Sequence, residues 1–217
     1  MKSASADHDR SFFPMLLRLA GRKCVVVGAG KIAAAKIESL LRCGASVTVV
    51  SLRAVPAIQR RAGTGALVWH KRAFRARDLD GAFLAVAATN SLKTNASVFR
   101  ACVKRGVLCN SVDDPEHCDF IYPAVVRRGL LQIAISTGGR SPALAARLRR
   151  ELEQQFGPEW GAWVQELGRA RKALLAYPMP AAVRRRRLNQ MAAPQAFSNY
   201  VLNGDRRPEK KTIKPGD

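Results

Sequence analysis

Six side chains able to move a proton or hold a metal fall within seven residues: Asp113, Asp114, Glu116, His117, Cys118 and Asp119. Four of the chain's 16 acidic residues are gathered there. Carboxylates so placed can accept protons, and carboxylate, imidazole and thiol together can ligate a metal; a plain acidic loop would carry the same residues. Asp113 is the strongest general-base candidate, because it stands where a predicted strand over 107–112 passes into the loop. Asp114, before Pro115, reads mainly as turn chemistry. His117 is a weak metal candidate, since one imidazole makes a poor site, and no metal is assigned.

Two glycine turns are suited to anions. The segment VVVGAGKIAAAKI sets Gly28-x-Gly30-x-x-Ala33 between a predicted strand and a predicted helix, the position a dinucleotide fingerprint requires. Gly28 permits the tight turn, Gly30 lets backbone approach a pyrophosphate, and Ala33 permits close helix–strand contact. The helix start adds amide donors and a positive dipole end. A second strand predicted over 46–51 ends Val50-Ser51-Leu52-Arg53, without the acid that usually holds the ribose of NAD. Ser51 can bond a ribose hydroxyl and Arg53 can meet a 2′-phosphate, so NAD and NADP both remain open on this chemistry. The second turn, STGGRSPALAARL, runs from Ser136 to Leu148. Gly138 and Gly139 free its backbone, while Arg140 and the following helix start favour an anion. It reads either as a clamp for substrate carboxylates or as an ordinary helix start capped by Ser141 ahead of Pro142.

The elements that must position these groups follow from periodicity. Apolar, β-branched runs predict strands over 23–28, 46–51, 67–70, 82–87 and 107–112. Helical spacing predicts helices over 31–42, closed by Gly44, and over 92–104. Strands alternating with helices predict an α/β fold with a Rossmann-type, doubly wound parallel sheet. Beyond Asp113 the pattern changes. Residues 121–127 and 130–136 flank Arg128-Gly129 and predict a strand pair. Helix is then predicted from Ser141-Pro142 to about 175, broken near Gly157-Pro158, and again over 178–190. From Ala193 the chain reads as a frayed tail, with disorder expected over 210–217.

The chain has 217 residues, 37 Lys and Arg against 16 Asp and Glu, and a formal net charge of +21. Residues 1–110 carry 19 basic and 5 acidic residues, and residues 111–217 carry 18 and 11, so the excess is spread over the body. Runs occur at Arg184–Arg187 and at Arg206, Arg207, Lys210, Lys211 and Lys214. Aromatic residues make up only 6% and none interleave with those runs, which argues against nucleic acid. A solvated basic surface and a polyanionic small-molecule substrate both remain. Five cysteines without a C-x-x-C pair fit reduced cytoplasmic thiols. No apolar run is long enough to span a membrane, and residues 1–11 show no secretory signal.

Taken together, FFPMLLRLAGRKCVVVGAGKIAAAKI, GASVTVVS, FLAVAATNSLKTN and LCNSVDDPEHCDFIYPAVVRRGLLQIAISTGGRSPALAARLRRELE resemble one family. It is the precorrin-2 dehydrogenase/sirohydrochlorin ferrochelatase family, the N-terminal module of siroheme synthases. The similarity runs from about Phe12 to Glu153, and N-S-V-D-D-P and S-T-G-G-R-S-P are its most specific stretches. It implies an NAD-binding domain over 1–121, a dimerisation region over 122–153 and a helical region over 154–192, with 193–217 as a disordered basic tail. It implies a homodimer that oxidises precorrin-2, a polycarboxylate tetrapyrrole, to sirohydrochlorin with NAD. Many members then insert Fe²⁺, a substrate rather than a bound cofactor. The family's essential aspartate maps onto Asp113, and its cofactor contacts onto Gly28, Gly30, Lys31, Ile32, Ser51, Leu52, Thr89 and Asn90. Arg127, Arg128, Gly138, Gly139, Arg140 and Ser141 are the candidate partners of substrate carboxylates. The family often lacks the strand-end acid, which favours NAD. One departure is Asn90-Ser91, where an acidic pair is usual. The methyltransferase module fused in some members is not among these residues, so precorrin-2 is expected from another enzyme. The competing reading is a nucleotide-sensing or nucleic-acid-binding protein on a Rossmann scaffold, which leaves Asp113 and the second glycine turn without a task.

Overall fold

The structure is a computed structural model that describes residues 12–204. The basic positions Arg206–Lys214, the disorder expected over 210–217 and the signal reading at residues 1–11 lie outside the described residues. The chain divides into two compact units, one ending at Tyr122 and one beginning at Pro123.

In the first unit, the run KCVVV forms β1 (Lys23–Val27), buried beyond its first residue. Side chains alternate across a strand, so Cys24 and Val26 feed one face of the sheet and Val25 and Val27 the other. The chain continues through α1 (Lys31–Arg42), β2 (Ser46–Val50), α2 (Pro56–Gly63) and β3 (Val68–His70). It then passes through β4 (Leu84–Ala87), α3 (Leu92–Val103) and β5 (Leu108–Ser111). The five strands are parallel in the order β3-β2-β1-β4-β5. This is the doubly wound sheet expected, with boundaries within two residues of those predicted.

Both faces are covered. Ile37 and Leu40 of α1 and Ile58 of α2 meet Val26, Val47, Val49, Leu84 and Val86. Val98, Ala101 and Cys102 of α3 meet Val25, Val27, Val50, Ala85 and Ala87. Each fully buried Val or Ile contributes about 1.5–3 kcal/mol of transfer free energy. Helix α2 is not foreseen by periodicity. It has eight residues, begins at Pro56 and buries only Ile58, too few apolar positions for a helical stripe.

In the second unit, β6 (Ala124–Arg128) and β7 (Leu131–Ile135) pair antiparallel, Arg128 opposite Leu131. The two-residue loop places Gly129 at φ 57° in its first position, the glycine-first hairpin turn whose twist matches the strands. Four helices follow: α4 (Pro142–Gln155), α5 (Glu159–Ala176), α6 (Ala181–Met191) and α7 (Pro194–Gly204). The hairpin turn lies on Gly161 of α5, where an added Cβ would stand 3.1 Å from the Arg128 carbonyl carbon. Helix α7 corrects the tail reading over 194–204. Phe197 stacks on Trp160 at 4.1 Å between centroids and Tyr200 lies 4.9 Å from Trp163, so an aromatic contact with α5 holds it. No described helix is long and apolar enough to cross a membrane.

Candidate functional site

Strand register aligns the residues of interest. Val27 pairs with Val50 on one side and Ala87 on the other, and Ala87 pairs with Ser111. Gly28, Ser51, Thr89 and Asp113 therefore lie one or two residues beyond a common row of strand ends. With strands about 4.8 Å apart, the row from β2 to β5 spans about 14 Å. Strand order reverses between β1 and β4, and the carboxyl edge at that point is where doubly wound sheets take ligands.

The glycine turn follows from local sterics. Gly28 has φ 106°, and a Cβ there would overlap the Ala88 carbonyl. Gly30 has ordinary extended backbone, but a Cβ on it would meet nothing within 4 Å, so the space before α1 is open. Helix α1 has no side-chain cap and no acid in its first turn. Its amides at Lys31, Ile32 and Ala33 precede the first intrahelical bond, Ala34 N–H to the Gly30 carbonyl at 2.9 Å. By contrast, Ser91 caps α3 and Ser141 caps α4. Lys31 is exposed, and Ile32 and Leu52 are exposed large apolar side chains at the same edge.

Beside it, the Ser51 hydroxyl donates to the Arg53 carbonyl at 2.6 Å, which leaves its lone pairs to accept from a ribose hydroxyl. The Trp69 indole donates to the Ser51 carbonyl at 3.0 Å, and Val55 N–H to the Ala29 carbonyl at 3.0 Å, tying this loop to the glycine turn. Thr89 is half-buried and Asn90 exposed. The Thr89 amide and hydroxyl both donate to Asn95 Oδ1, at 3.2 and 2.7 Å, and Asn95 Nδ2 returns a bond to the Thr89 carbonyl at 3.2 Å. Asn95 is buried and was not foreseen. Its polarity at an inward-facing position of α3, among Val98, Ala101 and Cys102, was the available signal.

Asp113 is exposed at the turn after β5. It is the one non-glycine described residue with positive φ, 60°, a conformation that costs energy and clusters at functional sites. Asp114 pairs with His117 Nδ1 at 2.5 Å, and the His117 ring lies edge-on to Phe99 at 4.7 Å. The Asp119 carboxylate accepts the Cys109 amide at 2.8 Å. Among the described residues no three His, Cys, Asp or Glu come together as a metal site. Ser111 Oγ, at the end of β5, is buried without a hydrogen-bond partner.

The second unit holds the other candidates. Gly138 (φ 61°) and Gly139 (φ 79°) form the turn before α4, and Ser141 accepts the Leu144 amide at 3.2 Å, as its N-cap position predicts. Arg127 and Arg140 are exposed. Arg128 is different. Its guanidinium donates to the carbonyls of Phe156 (2.7 Å), Glu153 (2.9 Å) and Arg127 (3.0 Å). It closes the end of α4, because the last helical carbonyls have no intrahelical donor. A free carboxylate partner at Arg128 is therefore not what the geometry supports.

A family model described as putative NAD(P)-binding matches residues 15–124, half of the chain and all of the edge row. A second, described as sirohaem biosynthesis protein central, matches residues 128–155. The chain belongs to the siroheme-synthase N-terminal family. Siroheme synthase 1 of Serratia proteamaculans is 36% identical over 193 residues, 89% of this chain and 40% of that protein. The siroheme synthase of Methylococcus capsulatus is 35% identical over 199 residues, 90% of this chain and 42% of that protein. The chain thus spans about two fifths of the curated relatives it matches. Among solved structures, SirC, a precorrin-2 dehydrogenase, superposes with a TM-score of 0.75 at 27% identity, over 86% of this chain and 92% of that one. The edge fits the dinucleotide this family model implies: an uncapped helix start, an open cradle at Gly30 and a turn only glycine can make at position 28.

Proposed function

We propose that this chain oxidises precorrin-2 to sirohydrochlorin with NAD⁺ as hydride acceptor. The observation that carries the reading is the presence on one sheet edge of an uncapped glycine-turn helix start and an exposed carboxylate, Asp113, held in a costly backbone conformation.

NAD⁺ bound at the glycine turn would supply the hydride acceptor. The chain does the rest. Amides of Lys31 and Ile32 hold the pyrophosphate at the α1 start. Ser51 Oγ accepts a ribose hydroxyl, and Ile32 and Leu52 supply apolar cover. Thr89, fixed by Asn95, and Asn90 line the other side of the crevice. Loss of a hydride leaves one surplus proton on the tetrapyrrole, and Asp113 accepts it. Arg127, Arg140 and Ser141, with the backbone freed by Gly138 and Gly139, are the partners proposed for substrate carboxylates in the second unit, and the chain works as a homodimer. Insertion of Fe²⁺ follows at the same carboxylate. The four ring nitrogens of sirohydrochlorin supply the ligands for Fe²⁺ as substrate, and Asp113, exposed to solvent, takes the pyrrole N–H protons.

The test is anaerobic incubation of fresh precorrin-2 with the protein and NAD⁺, followed optically, with Fe²⁺ added once the first phase is complete. NAD⁺-dependent appearance of sirohydrochlorin is expected, then conversion to siroheme faster than without protein. Folded protein that leaves precorrin-2 unchanged would overturn the dehydrogenase. A protein-independent second phase would remove only the metal insertion.

A further inference from the structure

Among the described residues Asp113 finds no hydrogen-bond partner of its own to hold its strained backbone, so its neighbours must. After the turn the chain doubles back, and Cys118 forms an antiparallel bridge with Asn110 of β5. The Cys118 sulfur is the centre of that fold-back. It accepts the Ser111 amide at 3.3 Å and Asn110 Nδ2 at 3.4 Å. Its own proton faces the Ser111 carbonyl at 3.1 Å and the Asp114 carbonyl at 3.3 Å. Ser111 lies two residues before Asp113 and Asp114 one residue after it, so one thiol joins both arms of the loop whose apex is the carboxylate. Around it, Asp119 N–H meets the Cys109 carbonyl at 2.8 Å and Asn110 Nδ2 meets the Phe120 carbonyl at 2.9 Å.

On the reading of Asp113 as the proton acceptor, we infer that Cys118 is a positioning residue, whose thiol fixes the Asp113 loop in its working conformation without touching substrate or cofactor. Sulfur suits this place for two reasons. It is large enough to bond at 3.1–3.4 Å to groups on three residues at once. Burial also raises the Cys118 pKa, so the sulfur keeps its proton and stays a donor, not a thiolate nucleophile. Removing the sulfur leaves the Ser111 amide without its acceptor and the turn closed by the long Asp114 N–H to Ser111 carbonyl bond at 3.4 Å, which lets it relax toward ordinary backbone angles. The carboxylate would shift while the dinucleotide edge formed by β1, β2 and β4 stays as it is.

The test compares Cys118→Ala and Cys118→Ser in the full chain with wild type. In Cys118→Ala, kcat for NAD⁺-dependent oxidation of precorrin-2 falls on the order of 10- to 100-fold, the scale of a misplaced catalytic group, while KM for NAD⁺ holds within about twofold. Cys118→Ser, which keeps a donor and an acceptor on a shorter bond, recovers a substantial part of kcat. Amide hydrogen exchange at Ser111 accelerates in Cys118→Ala, with little change at Gly28–Ala33. Unchanged kcat in Cys118→Ala would overturn the inference. So would a loss of kcat matched by an equal rise in KM for NAD⁺, or by serine failing as fully as alanine, since either marks a general structural defect. If wild-type protein has no activity on precorrin-2, the proposed function fails separately, and exchange at Ser111 still decides whether the thiol holds the loop.

Discussion

A methyl group added at Gly28 would strike the Ala88 carbonyl, whereas one added at Gly30 would meet nothing within 4 Å. The two substitutions should therefore separate folding from binding. Gly28→Ala is expected to lower stability by about 1–3 kcal/mol, since it forces a side chain into positive φ against backbone. Gly30→Ala should change stability by less than about 1 kcal/mol, its poorer capping offset by reduced freedom of the unfolded chain, yet weaken NAD⁺ binding by tenfold or more, on the order of the 1.4 kcal/mol that separates decades of affinity. Denaturation and dinucleotide titration of both variants check this; equal NAD⁺ affinity for Gly30→Ala and wild type would contradict it. Asp78 gives a pH signature. Burial pushes its carboxyl up, but Arg72 at 2.6 and 2.8 Å and the Arg75 amide at 2.8 Å outweigh that and hold its pKa below the usual value. The fold therefore favours the carboxylate. That stabilisation is complete above the unfolded pKa of about 3.9 and is lost as pH falls through the lower folded value. Asp78→Asn should be less stable than wild type at pH 7 and lose less stability on acidification below about pH 4; parallel acid limbs would contradict the assignment. The sequence makes Asp113 legible by its place after a strand. It does not reveal the left-handed backbone there or the role of Cys118, because both depend on where the chain returns after the turn.

Among elements, α4 shows where residue type alone misleads. Alongside the family resemblance Arg128 is a candidate partner of substrate carboxylates, and nothing in the letters says that its guanidinium faces helix carbonyls. Arg128→Ala should cost about 1–2 kcal/mol of stability through lost hydrogen bonds, seen as a lower denaturant midpoint, with KM for precorrin-2 within about twofold of wild type. A raised KM at unchanged stability would restore Arg128 to the substrate site. The helix start at Ser141 was readable because capping is local. Helix α7 was not readable. Its spacing of Phe197, Tyr200 and Val201 is helical, but Pro194 and the polar residues between hide it until Trp160 and Trp163 of α5 supply a partner. The contact between Thr89 and Asn95 is likewise tertiary in meaning, although the residues stand only six apart.

For the whole molecule, the parallel sheet was the most legible feature. Buried β-branched strands alternating with amphipathic helices leave few other arrangements, and the register brings the candidate cofactor-binding residues to one edge. The charge of +21 gains a role on the proposed substrate, a polycarboxylate drawn to a positive surface. The kcat/KM for precorrin-2 should then fall several-fold between low and about 0.5 M salt while kcat changes little; a flat profile would separate the charge from the substrate. The central claim is that the edge row joins a dinucleotide site to Asp113 as proton acceptor. The most direct measurement is the anaerobic rate of precorrin-2 oxidation by Asp113→Ala at saturating NAD⁺, with NAD⁺ affinity measured on the same sample. A loss of about 10²–10⁴-fold in kcat is expected, with NAD⁺ affinity within about twofold of wild type. A variant that binds NAD⁺ normally and oxidises precorrin-2 at the wild-type rate would contradict it.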